Sequence, residues 1–272
     1  REAKRLYDQE IKLPEELVVE ITKTAALSQQ TWQKARQAKD FKSFIPLLEK
    51  TIELQKKKAE KLETHPDLYS TLIDLYEPGA TYNSIAKVFD PIKPKLSDIV
   101  KKLDSSPNKP DDSILHKNYN IDKQFELSFE LIKKFNFDIG YGRQDRSTHP
   151  FTQSLAPLDV RITTRTTENF LNECIFGTIH ECGHALYEMD INEELHDTIL
   201  CTGTSMGIHE SQSRTLENYV GRSKEFWTYW YPSFQEYFPE NLKNYPIEEF
   251  YRDFICINPN IRRLNNIYSS VK

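Results

Sequence analysis

Apolar residues in the first half of the chain recur at helical spacing. They stand at every fourth position in two runs, Leu17, Ile21 and Ala25, then Phe44, Leu48 and Ile52. Side chains repeated at this interval lie on one face of a helix, so the pattern predicts helical structure over residues 14 to about 63. Similar spacing predicts a short helix over residues 68–75 and further helix over residues 85–103.

The pattern changes beyond Phe137. Residues that break regular structure are concentrated in about twenty positions there: Gly140, Gly142, Pro150 and Pro157. This concentration predicts mostly loop. The segment Asp159–Thr164 then alternates apolar and polar positions and is rich in β-branched residues, which indicates a short strand with one face inward.

Two strong helices are predicted after this strand. Thr166 or Thr167 can cap the first, and its apolar pattern continues to about Glu188. The second is predicted over residues 205–219, before Gly221. Functional side chains on these two helices are therefore expected to be arranged with helical spacing.

Composition describes an ordinary globular protein with an acidic surface. Of 272 residues 38% are hydrophobic and 28% charged, and the formal net charge is -5. Nothing in this balance favours nucleic acid. No apolar run reaches the roughly 18 residues that span a bilayer, and no secretory pattern opens the chain. The expectation is a cytosolic protein without a membrane partner.

The ends and the cysteines refine this picture. The first five residues are helix-forming without a cap or an initiator Met, and the last residues show no terminal helix. We therefore expect a single catalytic domain over residues 1–272, as a fragment of a longer chain. Four cysteines without a C-x-x-C pair are interpreted as reduced thiols.

Residues 180–184 read His-Glu-Cys-Gly-His, the H-E-x-x-H pattern, inside the first predicted helix. The i, i+4 spacing places both imidazoles on one face, so two nitrogens can meet one ion. Zinc suits imidazole and carboxylate ligands, and a catalytic site leaves a position open for water. Glu181 can accept that water's proton while the metal polarises a peptide carbonyl. The motif indicates amide hydrolysis.

A third ligand is available on the second helix. Glu210 supplies the carboxylate that would complete a set with His180 and His184. The alternative is that both histidines are satisfied structural residues without a metal. His209 points about 100° away from Glu210 around the helix, which favours a structural histidine over a supporting one. Glu217 is interpreted first as a solvated residue and second as a partner for a ligand histidine.

Four separated motifs carry a resemblance to a known family, in its order and with similar gaps: His149-Pro150-Phe151, Asp159–Thr164, residues 180–184 and His209-Glu210-Ser211-Gln212. The segment Asp74-Leu75-Tyr76-Glu77-Pro78-Gly79 also looks like a family segment. On these motifs the chain resembles the carboxypeptidase Taq family of thermostable zinc carboxypeptidases over most of its length.

The resemblance implies a fold, an activity and a ligand set. The fold class would be mainly α, a zincin-like helical peptidase with a small β-sheet beside a central substrate groove. His180, His184 and Glu210 would bind one zinc ion, with cobalt or manganese as substitutes, and Glu181 would be the general base. The family removes single residues from the C-terminal end of peptides, and its members are commonly homodimers.

Substrate contacts are predicted at three further positions. His149 lies in a family motif near the site. A free carboxylate is best recognised by a bidentate arginine, for which Arg262 is the first candidate and Arg161 the second. Ile261-Arg262 resembles the start of the family's I-R-x-x-A-D motif, with Asn in place of Ala and Asp. The strand Asp159–Thr164 either pairs with substrate backbone or is a plain core strand.

Three functions are weighed. The first is a zinc metallocarboxypeptidase acting on unstructured peptides. The second is an oligopeptidase or aminopeptidase, which would need internal cleavage or a pocket for a free amine. The third is a truncated, non-catalytic helical module that binds metal or peptide without turnover. Hydrolysis that a chelator abolishes separates the enzymes from the module.

Overall fold

The computed structural model describes residues 2–107 and 110–255. Two compact units divide them. The first takes in the chain up to Pro91 with the segments Asp197–Leu200 and Ser205–Gly207, and the second takes in the remainder. The single catalytic domain over residues 1–272 stays a prediction.

The first unit is helical. Its described helices are α1 (Glu2–Lys12), α2 (Glu15–Ala38), α3 (Ile45–Leu62), α4 (Leu68–Asp74) and α5 (Tyr82–Phe89). The helical pattern predicted over residues 14–63 corresponds to two helices, which pack against each other. Leu54, Ala59 and Leu62 of α3 are buried in this unit.

Local chemistry sets the ends of these helices. Lys39 ends α2 in the left-handed conformation, with φ of 54°, and the Asp40 N–H donates to the Ala35 carbonyl. Pro46 suits the first turn of α3 because a helix start needs no N–H there. Pro91 interrupts the helical stretch predicted over residues 85–103, because it has no N–H to continue the helical hydrogen bonds. The helix α5 ends at Phe89 and the next begins at Ile92.

A tight turn follows α4 in the segment 74–79. Gly79 has φ of +84°, which glycine adopts without a steric penalty. Its N–H donates to the buried Asp74 carboxylate at 2.7 Å. Glu77 in the same turn accepts the N–H of Gly207 at 3.0 Å. This part of the family resemblance is therefore a hydrogen-bonded turn of the first unit.

The second unit combines helices with a sheet. Its described helices and strands are α6 (Ile92–Asp104), α7 (Ile121–Lys134), β1 (Gly142–Arg146), β2 (Thr152–Ala156), β3 (Asp159–Thr164), α8 (Leu171–Met189), α9 (Met206–Arg214), α10 (Lys224–Tyr237), α11 (Pro239–Leu242) and α12 (Ile247–Ile255). The first two residues of α9 count with the first unit. The mainly helical fold class with a small sheet is confirmed. None of the described helices is long and apolar enough to cross a membrane.

The sheet has the order β1-β3-β2, with β1 parallel and β2 antiparallel to the central strand. The strand predicted at Asp159–Thr164 is β3, but the prediction of mostly loop over the preceding stretch is wrong for β1 and β2. Gly142 begins β1 and Pro150 precedes β2, so neither residue interrupts the hydrogen bonds between the strands. Both segments form strands because they pair with β3, and the local sequence does not reveal this pairing.

The start of α8 differs from the prediction. The helix begins at Leu171 with Phe170 at the N-cap position, and neither Thr166 nor Thr167 caps it. The Thr167 hydroxyl donates instead to the Glu173 carboxylate at 2.6 Å. Both threonines precede Leu171 by four residues or more, so neither stands at the position immediately before the helix that a capping side chain occupies.

Apolar packing joins α8 to the sheet. Val160 and Ile162 of β3 are fully buried against Cys182 and Ala185 of α8. Burial of each large aliphatic side chain contributes about 1.5–3 kcal/mol. A larger aromatic cluster around Trp227 covers the start of the same helix. These contacts fix α8, which carries the H-E-x-x-H motif.

Candidate metal centre and active site

The two motif histidines lie on one face of α8. The ring centroids of His180 and His184 are 4.9 Å apart, as the i, i+4 spacing predicts. Both rings are mostly buried. Cys182, between them in sequence, points to the opposite side and packs on the sheet. The helix therefore separates a polar face from its packing face.

Glu210 of α9 meets both histidines. Its Oε2 atom lies 3.4 Å from His180 Nε2 and 3.3 Å from His184 Nε2. The possible ligand atoms of these three residues all lie within 4.8 Å of one another. Arg214 Nε donates to the other carboxylate oxygen, Oε1, at 2.7 Å and so orients Glu210. The structure thus brings together the three residues predicted as ligands.

Gly183 permits this approach of α9 to α8. A Cβ atom at position 183 would lie 2.6 Å from Ser213 Cα and 2.9 Å from the Gln212 carbonyl oxygen. Real Cβ atoms essentially never come within 3.0 Å of such atoms. The fourth position of the motif therefore needs glycine for packing.

Glu217 binds the ring nitrogen of His180 that faces away from Glu210. The His180 Nδ1–H donates to Glu217 Oε2 at 2.9 Å, and this carboxylate is 1% exposed. Arg214 and Arg222 also donate to it, at 3.1 and 3.2 Å. The π-helical segment Thr215–Val220 carries Glu217, and such segments are frequent at functional sites. The interpretation of Glu217 as solvated is wrong, because it is a buried partner of His180.

His184 is anchored by a second histidine. Its Nδ1 lies 2.6 Å from His209 Nδ1, and His209 Nε2 lies 2.6 Å from Glu188 Oε1. Glu188 is an acceptor when ionised, so His209 Nε2–H donates to it and His209 Nδ1 accepts from His184 Nδ1–H. This arrangement leaves the Nε2 lone pair of His184 facing Glu210. His209 is therefore hydrogen-bonded, as expected, and it also supports His184.

Charge in the cluster shifts two pKa values. Burial alone would lower the pKa of His180, but hydrogen bonds to Glu210 and Glu217 outweigh it and raise the pKa to about 9. Burial alone would raise the pKa of Glu210, but the hydrogen bond and positive charge of His180, together with the hydrogen bond from Arg214, hold it far below its usual range. A cation binding here would compete with protons.

Glu181 lies beside the histidines on the sheet side of α8. The residue is 7% exposed. The Thr152 hydroxyl lies 2.8 Å from Glu181 Oε2 and can donate to it. Thr152 is the first residue of β2, so an edge of the sheet reaches the carboxylate that the sequence predicts as general base.

A pocket of about 330 Å³ adjoins these groups. One wall is β2 and the turn after it, with Thr152 at one end. Glu188 and His209 also line it, together with Cys201 and Thr202. The pocket is thus bordered by residues that contact the proposed base and one of the motif histidines.

Two of the three predicted substrate contacts fall within the described residues. Arg161 is exposed on β3 and donates twice to Asp159, at 2.8 Å each. His149 is exposed after β1, with Nδ1 2.6 Å from the Pro150 carbonyl oxygen. Arg262 lies outside the described residues. No sequence pattern pointed to Thr152 or Glu188. Thr152 reaches Glu181 only through the sheet. Glu188 acts on His184 through His209 of another helix.

The chain is similar to known proteins along nearly its whole length. The family model described as Carboxypeptidase Taq (M32) metallopeptidase matches residues 1–266. The chain belongs to this family. The resemblance carried by the separated motifs is confirmed, and a divalent metal is implied for a metallopeptidase family.

Individual relatives named as carboxypeptidases support the assignment to the carboxypeptidase Taq family. Carboxypeptidase 1 of Bacillus subtilis is 40% identical over 252 residues, 92% of this chain and 50% of that protein. Thermostable carboxypeptidase 1 of Thermus thermophilus is 37% identical over 273 residues, with coverage of 97% and 53%. The BsuCP crystal structure has a TM-score of 0.88 at 40% identity, covering 92% of this chain and 50% of that one. The chain spans about half the length of the curated relatives it matches.

The donor set of this carboxypeptidase Taq family member fits a divalent metal ion. Two imidazole nitrogens and one carboxylate oxygen converge, which is a common ligand set for catalytic zinc. Each histidine is also held through its other ring nitrogen, as metal-ligating histidines usually are. His180, His184 and Glu210 are therefore the residues that could hold the ion.

Proposed function

We propose that this chain carries the zinc site and the general base of a metallocarboxypeptidase that shortens peptides from the C-terminus. The convergence of His180, His184 and Glu210 carries the proposal, in a chain of a metallopeptidase family. These three residues hold one zinc ion, for which cobalt or manganese can substitute. Glu181 acts as the base.

Glu181 has the position and environment that its role requires. When bound, the metal supplies a Lewis acid and lowers the pKa of its water to about 7. Glu181 accepts a proton from the attacking water and returns it to the leaving amine. Its burial and the hydrogen bond available from Thr152 limit the orientations that the carboxylate can take.

The substrate backbone is proposed to run along β2 rather than β3. Both edges of β3 are occupied, by β1 and β2, so β3 is the core strand of the two alternatives. In the described part of the chain no strand pairs with the other edge of β2, and that strand lines the pocket. An extended peptide can add to such an edge through main-chain hydrogen bonds.

Ser154→Pro tests this path. Thr163 N–H donates to Phe151 O, and alternation along an antiparallel pair then turns the Ser154 N–H away from β3. Proline removes that donor, so we expect the peptide KM to rise about fivefold relative to Ser154→Ala. This is the effect expected from the loss of one hydrogen bond. Steady-state kinetics with both variants measure it. Equal KM values for the two would exclude pairing at this residue.

Recognition of the substrate's free carboxylate remains a proposal from the resemblance. Arg262 is the first candidate. Arg161 would have to exchange its ion pair with Asp159 for the substrate, and His149 is proposed to contact substrate only by its family motif. A homodimer is likewise proposed from the family resemblance, and a cytosolic location from the sequence.

Mass spectrometry of an unstructured peptide incubated with the protein and zinc tests the function. We expect a ladder shortened one residue at a time from the C-terminus, which a chelator abolishes and added zinc restores. Internal fragments would indicate an oligopeptidase instead. An intact peptide in the presence of one bound zinc per chain would indicate the non-catalytic module.

A further inference from the structure

The Thr152 hydroxyl is placed between the Glu181 carboxylate and the pocket. Its Oγ1 lies 2.8 Å from Glu181 Oε2 and 3.0 Å from the Glu181 carbonyl oxygen. A hydroxyl has one hydrogen to donate, and an ionised carboxylate is the stronger acceptor of the two. The hydroxyl therefore binds the side chain in preference to the helix backbone.

The sheet fixes the position of this hydroxyl. Thr152 pairs with Ile162 of β3, which is fully buried against α8. The strand therefore cannot slide along the helix without moving buried side chains. Thr152 itself is partly exposed and lines the pocket, so it contacts the base from the side where substrate would enter.

We propose that Thr152 is a positioning residue for Glu181, an inference that rests on the proposed function. Among the described residues, Thr152 gives Glu181 Oε2 a hydrogen bond, and none of them hydrogen-bonds to Oε1. One oxygen is thus held and the other is the proton acceptor. The threonine fixes the orientation of the base and takes no part in proton transfer itself.

Thr152→Val is the test, because valine keeps the shape of threonine and lacks the hydroxyl. We expect kcat for peptide hydrolysis to fall about tenfold, with KM and zinc affinity changed less than about twofold. Thr152→Ser should restore kcat to within about twofold of wild type, since it returns the hydroxyl. Thr164→Val removes a buried hydroxyl of β3 and should lower stability without changing kcat.

Crystal structures of wild type and Thr152→Val provide a readout independent of activity. We expect Oε2 of Glu181 to stay within hydrogen-bond distance of Thr152 in wild type, and the carboxylate to adopt a different rotamer in the valine variant. An unmoved carboxylate, or a kcat that serine does not restore, would overturn the inference. If the carboxylate moves in the valine variant but wild type itself hydrolyses nothing, the proposed function is refuted while the positioning contact stands.

Discussion

Glu181→Gln should lower kcat for peptide hydrolysis by about 10²–10⁴-fold, the range that general acid-base catalysis contributes. Glutamine has the shape of glutamate and can still accept a hydrogen bond from Thr152, but it cannot take the proton of an attacking water. The three proposed metal ligands are unchanged. Zinc content by atomic absorption and peptide turnover by chromatography measure the two properties separately.

Glu168→Gln is the matched control for Glu181→Gln. Glu168 is exposed, in the segment that precedes α8, so removal of its charge should leave both kcat and zinc content at wild-type values. A Glu181→Gln protein that loses its zinc would show that Glu181 supports the metal site. One that keeps wild-type turnover would remove Glu181 from the mechanism.

Glu217→Gln should weaken zinc binding by about 10–100-fold, as loss of a residue that orients a metal ligand typically does. The buried carboxylate of Glu217 accepts the His180 Nδ1–H and faces two arginines. A neutral amide would remove the buried negative charge that these arginines and the imidazole face, and would hold the imidazole less firmly. Competition with a chromogenic chelator measures the affinity, at a temperature well below unfolding.

Glu225→Gln provides the comparison for Glu217→Gln. Glu225 is an exposed residue in the first turn of α10, and its neutralisation should not change zinc affinity. Circular dichroism of both variants shows whether the fold is retained. Wild-type affinity in a folded Glu217→Gln protein would contradict the anchoring role of the carboxylate.

The motif histidines were predictable from sequence because their relation is local. Four residues of helix place His180 and His184 on one face whatever surrounds them, and the structure keeps that geometry. Glu210 was predictable only with its own motif, since it lies twenty-six positions after His184. The helices of the first unit were predictable from apolar spacing. A residue in the left-handed conformation ends α2, and a proline stands in the first turn of α3.

The remaining features depend on contacts between distant segments. β1 and β2 carry turn-forming residues at their margins, and pairing with β3 makes them strands. The wrong prediction for Glu217 arose because a charged residue late in a helix is usually solvated. Its burial depends on two arginines and on a π-helical segment that no local pattern announces. Thr152 is in the same category, because only the sheet brings it to Glu181.

The glycine at position 183 gives the motif a meaning beyond its chemistry. A methyl group there would act as a wedge between the two helices, and it would move the carboxylate of Glu210 away from the imidazoles. A database pattern written H-E-x-x-H accepts any residue at this position, whereas this architecture admits only the smallest. Requiring H-E-x-G-H, followed by a second His-Glu pair, would separate chains with this helix crossing from chance occurrences of the shorter pattern.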